Sequence, residues 1–223
     1  MRKFIILSVI VLSLFSCKND MEIPANGLKL YFENPQPVND SEISKIPNAF
    51  IGLYEEDESS YLRVDQDAVL WDYHLKFKIH KNFVDSLKVN FKLVDGKMID
   101  RKTNEAYAVS DCGDSLLLDN ISTDTLFKFS KTQRAKRING SLVLNSKDSV
   151  YWNIKTLDTH KDRLTMRFFY SQKDRERMDS IMKTKSKMLD STAYVLNPSR
   201  NEFRKILKLK KLGEEHNFKR VKA

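Results

Sequence analysis

The chain has 223 residues, with 39 Lys and Arg against 30 Asp and Glu, 41 % hydrophobic residues, and only six Gly and five Pro. That balance excludes a collagen-like, low-complexity or wholly disordered chain, and two cysteines are too few for a disulfide framework. The formal net charge is +9, and Ser171–Ala223 alone, with 15 basic and 7 acidic residues, carries +8 of it. The basic character is therefore a local surface property of the C-terminal quarter.

Arg2 and Lys3 open the chain, and the uncharged run Phe4–Phe15, FIILSVIVLSLF, follows. It is shorter than the about 20 apolar residues a spanning helix needs and fits the apolar region of a secretory signal peptide, about 7–15 residues long. The chain turns polar at once at Lys18-Asn19-Asp20. The junction Leu14-Phe15-Ser16-Cys17 resembles the lipobox of bacterial lipoproteins. The resemblance implies that a diacylglyceryl group is placed on the Cys17 thiol, that a signal peptidase cuts between Ser16 and Cys17, and that the new amino group is acylated. Residues 1–16 are then a signal peptide, and the partner is membrane lipid, reached through acylated Cys17. Lys18 stands where an aspartate marks inner-membrane retention in some bacteria. By that analogy the place is the outer membrane, on its periplasmic face or at the cell surface.

Residues 17–48 read as a lipidated tether. Pro24, Pro35, Pro37 and Pro47 disfavour a long regular element, and one apolar patch, GLKLYF, interrupts the polar sequence. Residues 49–223 read as a single β-rich domain with C-terminal helices.

From Ile51 to Tyr170 the hydrophobic period is two. In WDYHLKFKIH, Trp71, Tyr73, Leu75, Phe77 and Ile79 fall on one face of a strand, and Asp72, His74, Lys76, Lys78 and His80 on the other. LKVNFKL repeats the pattern, and Asp95-Gly96 forms a tight turn because glycine accepts positive φ. Further strands are expected at IGLYEE, YLRVD, AYAVS, SLLLD, TLFKFS, SLVLNS, VYWNIKTL and RLTMRFFY. Short strands at this spacing predict a mainly β fold, an antiparallel meander forming an open barrel or strongly curled sheet. AFIGLY, Ala49–Tyr54, resembles the start of lipocalin-like barrels, whose first strand carries G-x-W; Tyr54 stands in place of the tryptophan. That resemblance implies a small apolar ligand inside an eight-stranded barrel followed by a helix, and carries over no ligand-binding residue.

The period then changes. Ser171 and Asp174 form a capping pair that opens a helix over about 172–189. AYVL offers one more strand. Ser199 with Glu202 opens a second helix, about 200–212, with Gly213 as its stop. Phe203, Ile206 and Leu207 face inward; Arg200, Arg204, Lys205, Lys208 and Lys211 face out as a basic surface. Such a helix fits anionic headgroups, but the favoured expectation packs its apolar side on the domain and leaves the lysines in water.

No catalytic set and no metal site emerge, and no cofactor is implied. His74 and His80, six residues apart on one strand, stand about 20 Å apart at about 3.3 Å per residue. Ser180 and Lys183 match S-x-x-K without its companion motifs. Glu55, Glu56, Asp57 and Glu58 read as a solvated turn rather than a calcium loop, and Asp65 and Asp67 lack an acid–base partner. Cys112, in SDCGDS, reads as a free loop thiol. The basic tail suits nucleic acid chemically, but an exported protein does not meet it. The expectation is a non-catalytic binding or scaffolding protein of the cell envelope, with an envelope protein as partner. The alternatives are a lipocalin-like carrier of an apolar ligand and an envelope hydrolase using Ser180, Lys183 or Cys112.

Overall fold

The structure is a computed structural model that describes residues 27–222. Ser16, Cys17 and the whole signal-peptide reading lie outside the described residues.

The fold is mainly β. Nine strands make a continuous antiparallel run: β2 (Gly52–Asp57), β3 (Ser60–Val64), β4 (Ala68–His80), β8 (Ser115–Lys128), β9 (Gln133–Ile138), β10 (Ser141–Asp148), β11 (Tyr151–His160), β12 (Arg163–Phe168) and β15 (Glu214–Arg220). Their order in the sheet is β9-β10-β11-β12-β15-β2-β3-β4-β8. The two end strands, β8 and β9, are consecutive in sequence but form no ladder, so the sheet is not closed into a barrel. Side chains from all nine strands nevertheless meet in one core that includes Tyr54, Leu62, Trp71, Phe127, Leu142 and Phe218.

A second core lies on the outer side. Along β10, Leu142 and Leu144 point into the inner core while Val143 joins the outer one with Trp152 and Ile154 of β11. These strands are buried on both faces, so the even alternation of the sequence expectation does not hold for them. The outer core is covered by β1 (Lys29–Phe32), β14 (Ala193–Leu196), α2 (Gln172–Ile181) and α3 (Arg200–Ile206). β1 runs parallel to β14 and meets β11 at Phe32–Trp152, and β13 (Lys187–Asp190) pairs with β14 at the edge.

Several further expectations need correction. The tether does not extend to residue 48. From Leu28 on the chain is built into the domain: Leu30 and Phe32 lie in the outer core, and Ile46 and Phe50 in the inner one. Prolines exclude a long regular element but not a packed irregular one. The helix expected over 172–189 ends at Ile181. Asp179 accepts hydrogen bonds from Ser186 N (2.6 Å) and Ser186 Oγ (2.7 Å), folding the chain back so that Lys187–Asp190 becomes a strand. The helix expected over 200–212 ends at Ile206. Leu212 is drawn back into the outer core at 2 % exposure, and the Gly213 N–H donates to Asp174 Oδ1 at 2.8 Å.

The remaining strands form an arm. β4 and β8 are 13 and 14 residues long and pair along their whole length, but only their inner halves reach the core. Leu75 and Phe77, expected on a core face, are 43 % and 40 % exposed. Beyond them β8 continues the sheet through β7 (Ala106–Cys112) and β6 (Lys97–Asp100) to β5 (Phe91–Val94), with the Asp95-Gly96 turn at positive φ joining β5 and β6. Leu87 belongs to a single helical turn, α1 (Val84–Leu87), so the strand expected over 87–93 begins only at Phe91.

Candidate interaction surfaces

The residues singled out for chemistry are not brought together. Ser180 is on the exposed side of α2 and donates its hydroxyl to Arg177 O (2.7 Å). Lys183 lies beyond the end of that helix, where its own backbone N–H is held by Glu202. The pair therefore lacks the shared helical face that a nucleophile and its base would need. Cys112 is an exposed free thiol in the β7–β8 hairpin. His74 packs on Tyr61 (ring centroids 4.7 Å), and His80 Nδ1 accepts from Asn82 N at 3.2 Å. Among the described residues no group of three or more His, Cys, Asp or Glu has metal-holding geometry.

Carboxylates are engaged within the fold. Asp72 accepts from Arg63 Nε (3.1 Å) and from Thr123 Oγ1 (2.6 Å). Burial favours its neutral form, but the Arg63 and Thr123 hydrogen bonds outweigh this and hold its pKa below the ordinary carboxylate value. It stays ionised and cannot serve as a general acid near neutrality. The acidic run Glu55–Glu58 lines an open groove of about 540 Å³ against Arg163 and Lys219. Asp57 is tied to Ser59 N–H and Oγ, and Glu56 to His216 Nδ1 at 2.9 Å.

In the Gly52-Leu53-Tyr54 segment, Tyr54 packs in the inner core and Leu53 is exposed. The Arg220 guanidinium lies 4.7 Å from the Tyr54 ring centroid, and Tyr54 donates to Phe50 O at 2.9 Å. Arg220 Nη1 also donates to Ile51 O at 2.7 Å, and a Cβ on Gly52 would sit 2.5 Å from that nitrogen. Gly52 has φ +154°, a conformation that residues with a side chain rarely adopt, and this favours glycine there. Leu62, Phe127, Leu142, Leu157, Leu164 and Met166 have 0 % exposure. They are fully shielded from water, so this part of the interior is packed with side chains.

The lobe of α2, α3, β13 and β14 presents the basic surface. Phe203 and Ile206 are wholly buried, so the apolar side of α3 is spent on the domain. Arg200, Arg204, Lys205, Lys208 and Lys211 are all exposed. They are not equivalent. Arg200 is bound in a two-pronged ion pair to Asp40, whereas the side chains of Arg204, Lys205, Lys208 and Lys211 have no carboxylate partner among the described residues. Lys183 and Lys205 both line a groove of about 560 Å³, together with Asn197, Ser199, Asn201 and Glu202. Glu202 is the hub of this lobe. Its carboxylate accepts from Ser199 N (2.8 Å), Ser199 Oγ (2.7 Å) and Lys183 N (2.8 Å), joining the start of α3 to the end of α2. The Ser199 hydroxyl, then the Lys183 and Ser199 N–H groups, hold its pKa at about 2.

The pair Arg200–Asp40, 160 positions apart in sequence, carried no local signal. The uncompensated cations beside it were legible as an outward-facing stripe. Comparison of the chain with protein-family models, curated proteins and solved structures finds no match in any of the three.

Proposed function

We propose that the chain is a lipid-anchored protein of the bacterial cell envelope, held to the outer membrane through acylated Cys17, with a non-catalytic binding or scaffolding role. The observation that carries this reading is the order basic start, apolar run, Ser16-Cys17 and polar continuation. The apolar run is too short to span a bilayer, and a lipobox cysteine explains why it stops where it does. One acyl chain anchors weakly, at about 0.8 kcal/mol per buried methylene, whereas two or three on one residue hold durably. No helix among the described residues is long and apolar enough to cross a membrane. The S-x-x-K pair and Cys112 are also separated, which favours binding over hydrolysis. The packed inner core gives no support to a carrier that holds its ligand there. The test is fractionation of cells expressing the full chain and its Cys17→Ser variant. The wild type should sediment with membranes and extract only with detergent, and the variant should be either released or left uncleaved. Equal behaviour of the two would count against the anchor.

A further inference from the structure

We infer that the α2–α3 lobe is the membrane-proximal face of the domain and that its unpaired cations dock on anionic phospholipid headgroups. This inference rests on the anchor reading above. Two observations on the structure carry it.

The first is where the chain enters. Leu28 N–H donates to Tyr170 O, immediately before Ser171, the N-cap of α2, and Lys29 N–H donates to Thr192 O in the β13–β14 turn. The first described residues are thus seated in the lobe itself. Only ten residue steps separate Cys17 from Gly27, and a fully extended chain covers at most about 3.6 Å per residue, about 36 Å in all. An acylated Cys17 therefore keeps the lobe close to the bilayer. The β5–β7 arm stands at the opposite end of the strand order.

The second is the charge. Carboxylates of the lobe are drawn into its own hydrogen bonds: Asp174 caps α2 and accepts from Gly213, Asp179 binds Arg175 and Ser186, and Glu202 joins the two helices. Lys183, Arg204, Lys205, Lys208 and Lys211 are exposed; Lys183 lies beside the Glu202 carboxylate, and the side chains of the other four have no carboxylate partner among the described residues. The lobe thus offers cations to solvent while Asp174, Asp179 and Glu202 are engaged in its own hydrogen bonds; Glu176 and Asp190 are exposed beside them. A negatively charged headgroup layer is the complementary surface, and it acts within a Debye length, about 8 Å at physiological salt. The apolar side of α3 is buried, so the contact is electrostatic and does not insert the helix.

Lysine footprinting of the purified, membrane-extracted full chain tests this. The protein is reconstituted on vesicles of equal parts phosphatidylglycerol and phosphatidylcholine, or on phosphatidylcholine alone. It is acetylated with a small water-soluble reagent and mapped by mass spectrometry, with the Cys17 peptide read in the same digest. Lys183, Lys205, Lys208 and Lys211 should react about fivefold more slowly on the anionic vesicles, the factor one cation gains at such a surface. High salt should abolish the difference, and Lys76, Lys92 and Lys97 of the arm should be unchanged. An acylated Cys17 with equal reactivity on both vesicles would overturn the docking proposal and leave the anchor reading standing. A Cys17 peptide without acyl groups would overturn both. Protection by soluble polyphosphate on neutral vesicles, matching that on anionic ones, would assign the face to a soluble polyanion and overturn the lipid assignment.

Discussion

Replacing Glu202 by Ala probes the junction that builds the basic lobe. In the folded chain the carboxylate accepts three hydrogen bonds of 2.7–2.8 Å, two from Ser199 and one from Lys183 N–H. These lower its pKa from the ordinary 4.5 to about 2. A shift of that size corresponds to roughly 3 kcal/mol at about 1.4 kcal/mol per unit. The group lies at the surface, where solvent screening reduces such contributions, and a capping box contributes typically about 1–2 kcal/mol. The expected loss near neutrality is therefore about 1–2 kcal/mol. Its pH dependence has a definite sign. The folded value is lower than the unfolded one, so the stabilisation is complete above pH 4.5 and disappears as pH falls towards about 2. Urea unfolding of both proteins near neutrality and at about pH 3, between the two values, reads this directly. The deficit of Glu202→Ala should shrink to about half or less at the lower pH. A deficit unchanged between the two conditions, or absent near neutrality, would refute the assignment of Glu202 as an ionised clasp.

Other sites give independent outcomes. Gly213 has φ +77°, and a Cβ there would lie 2.7 Å from Phe168 O, so Gly213→Ala should cost about 1–3 kcal/mol and lower the thermal midpoint; an unchanged midpoint contradicts the close approach. Asn145, wholly buried, accepts from Gln36 N at 2.6 Å and donates to Gln36 O at 2.9 Å. Asn145→Ala leaves both backbone groups unpaired and should destabilise by about 2 kcal/mol or more in urea titration. Cys112 should react with an aromatic disulfide reagent as completely in the native protein as in denaturant, because its thiol is exposed; a protected thiol would mean that another surface covers the β7–β8 hairpin.

The β character and most strand positions were legible because period-two alternation is local. The Asp95-Gly96 turn and both capping boxes, Ser171 with Asp174 and Ser199 with Glu202, were legible for the same reason. What escaped depends on distant partners. The end of α2 is set by Asp179 reaching Ser186, and the end of α3 by Leu212 returning to the outer core. β15 reads EEHNFKR, with Phe218 its one fully buried apolar residue; it is a strand because β12 and β2 pair with it on either side. Leu75 and Phe77 alternate correctly yet leave the core, since period alone does not say how far a ribbon extends beyond its support. In the basic lobe the outward cations were readable from helical spacing. The capture of Arg200 by Asp40, and the internal use of the acidic residues that leaves the other cations uncompensated, required the fold.

Intact mass measurement of the native protein extracted from membranes tests the central claim most directly. The expected species lacks residues 1–16 and carries a diacylglyceryl group and an amide-linked acyl chain at Cys17. A species that begins at Met1 and has an unmodified Cys17 thiol would contradict the anchor, and with it the placement of the domain at a membrane.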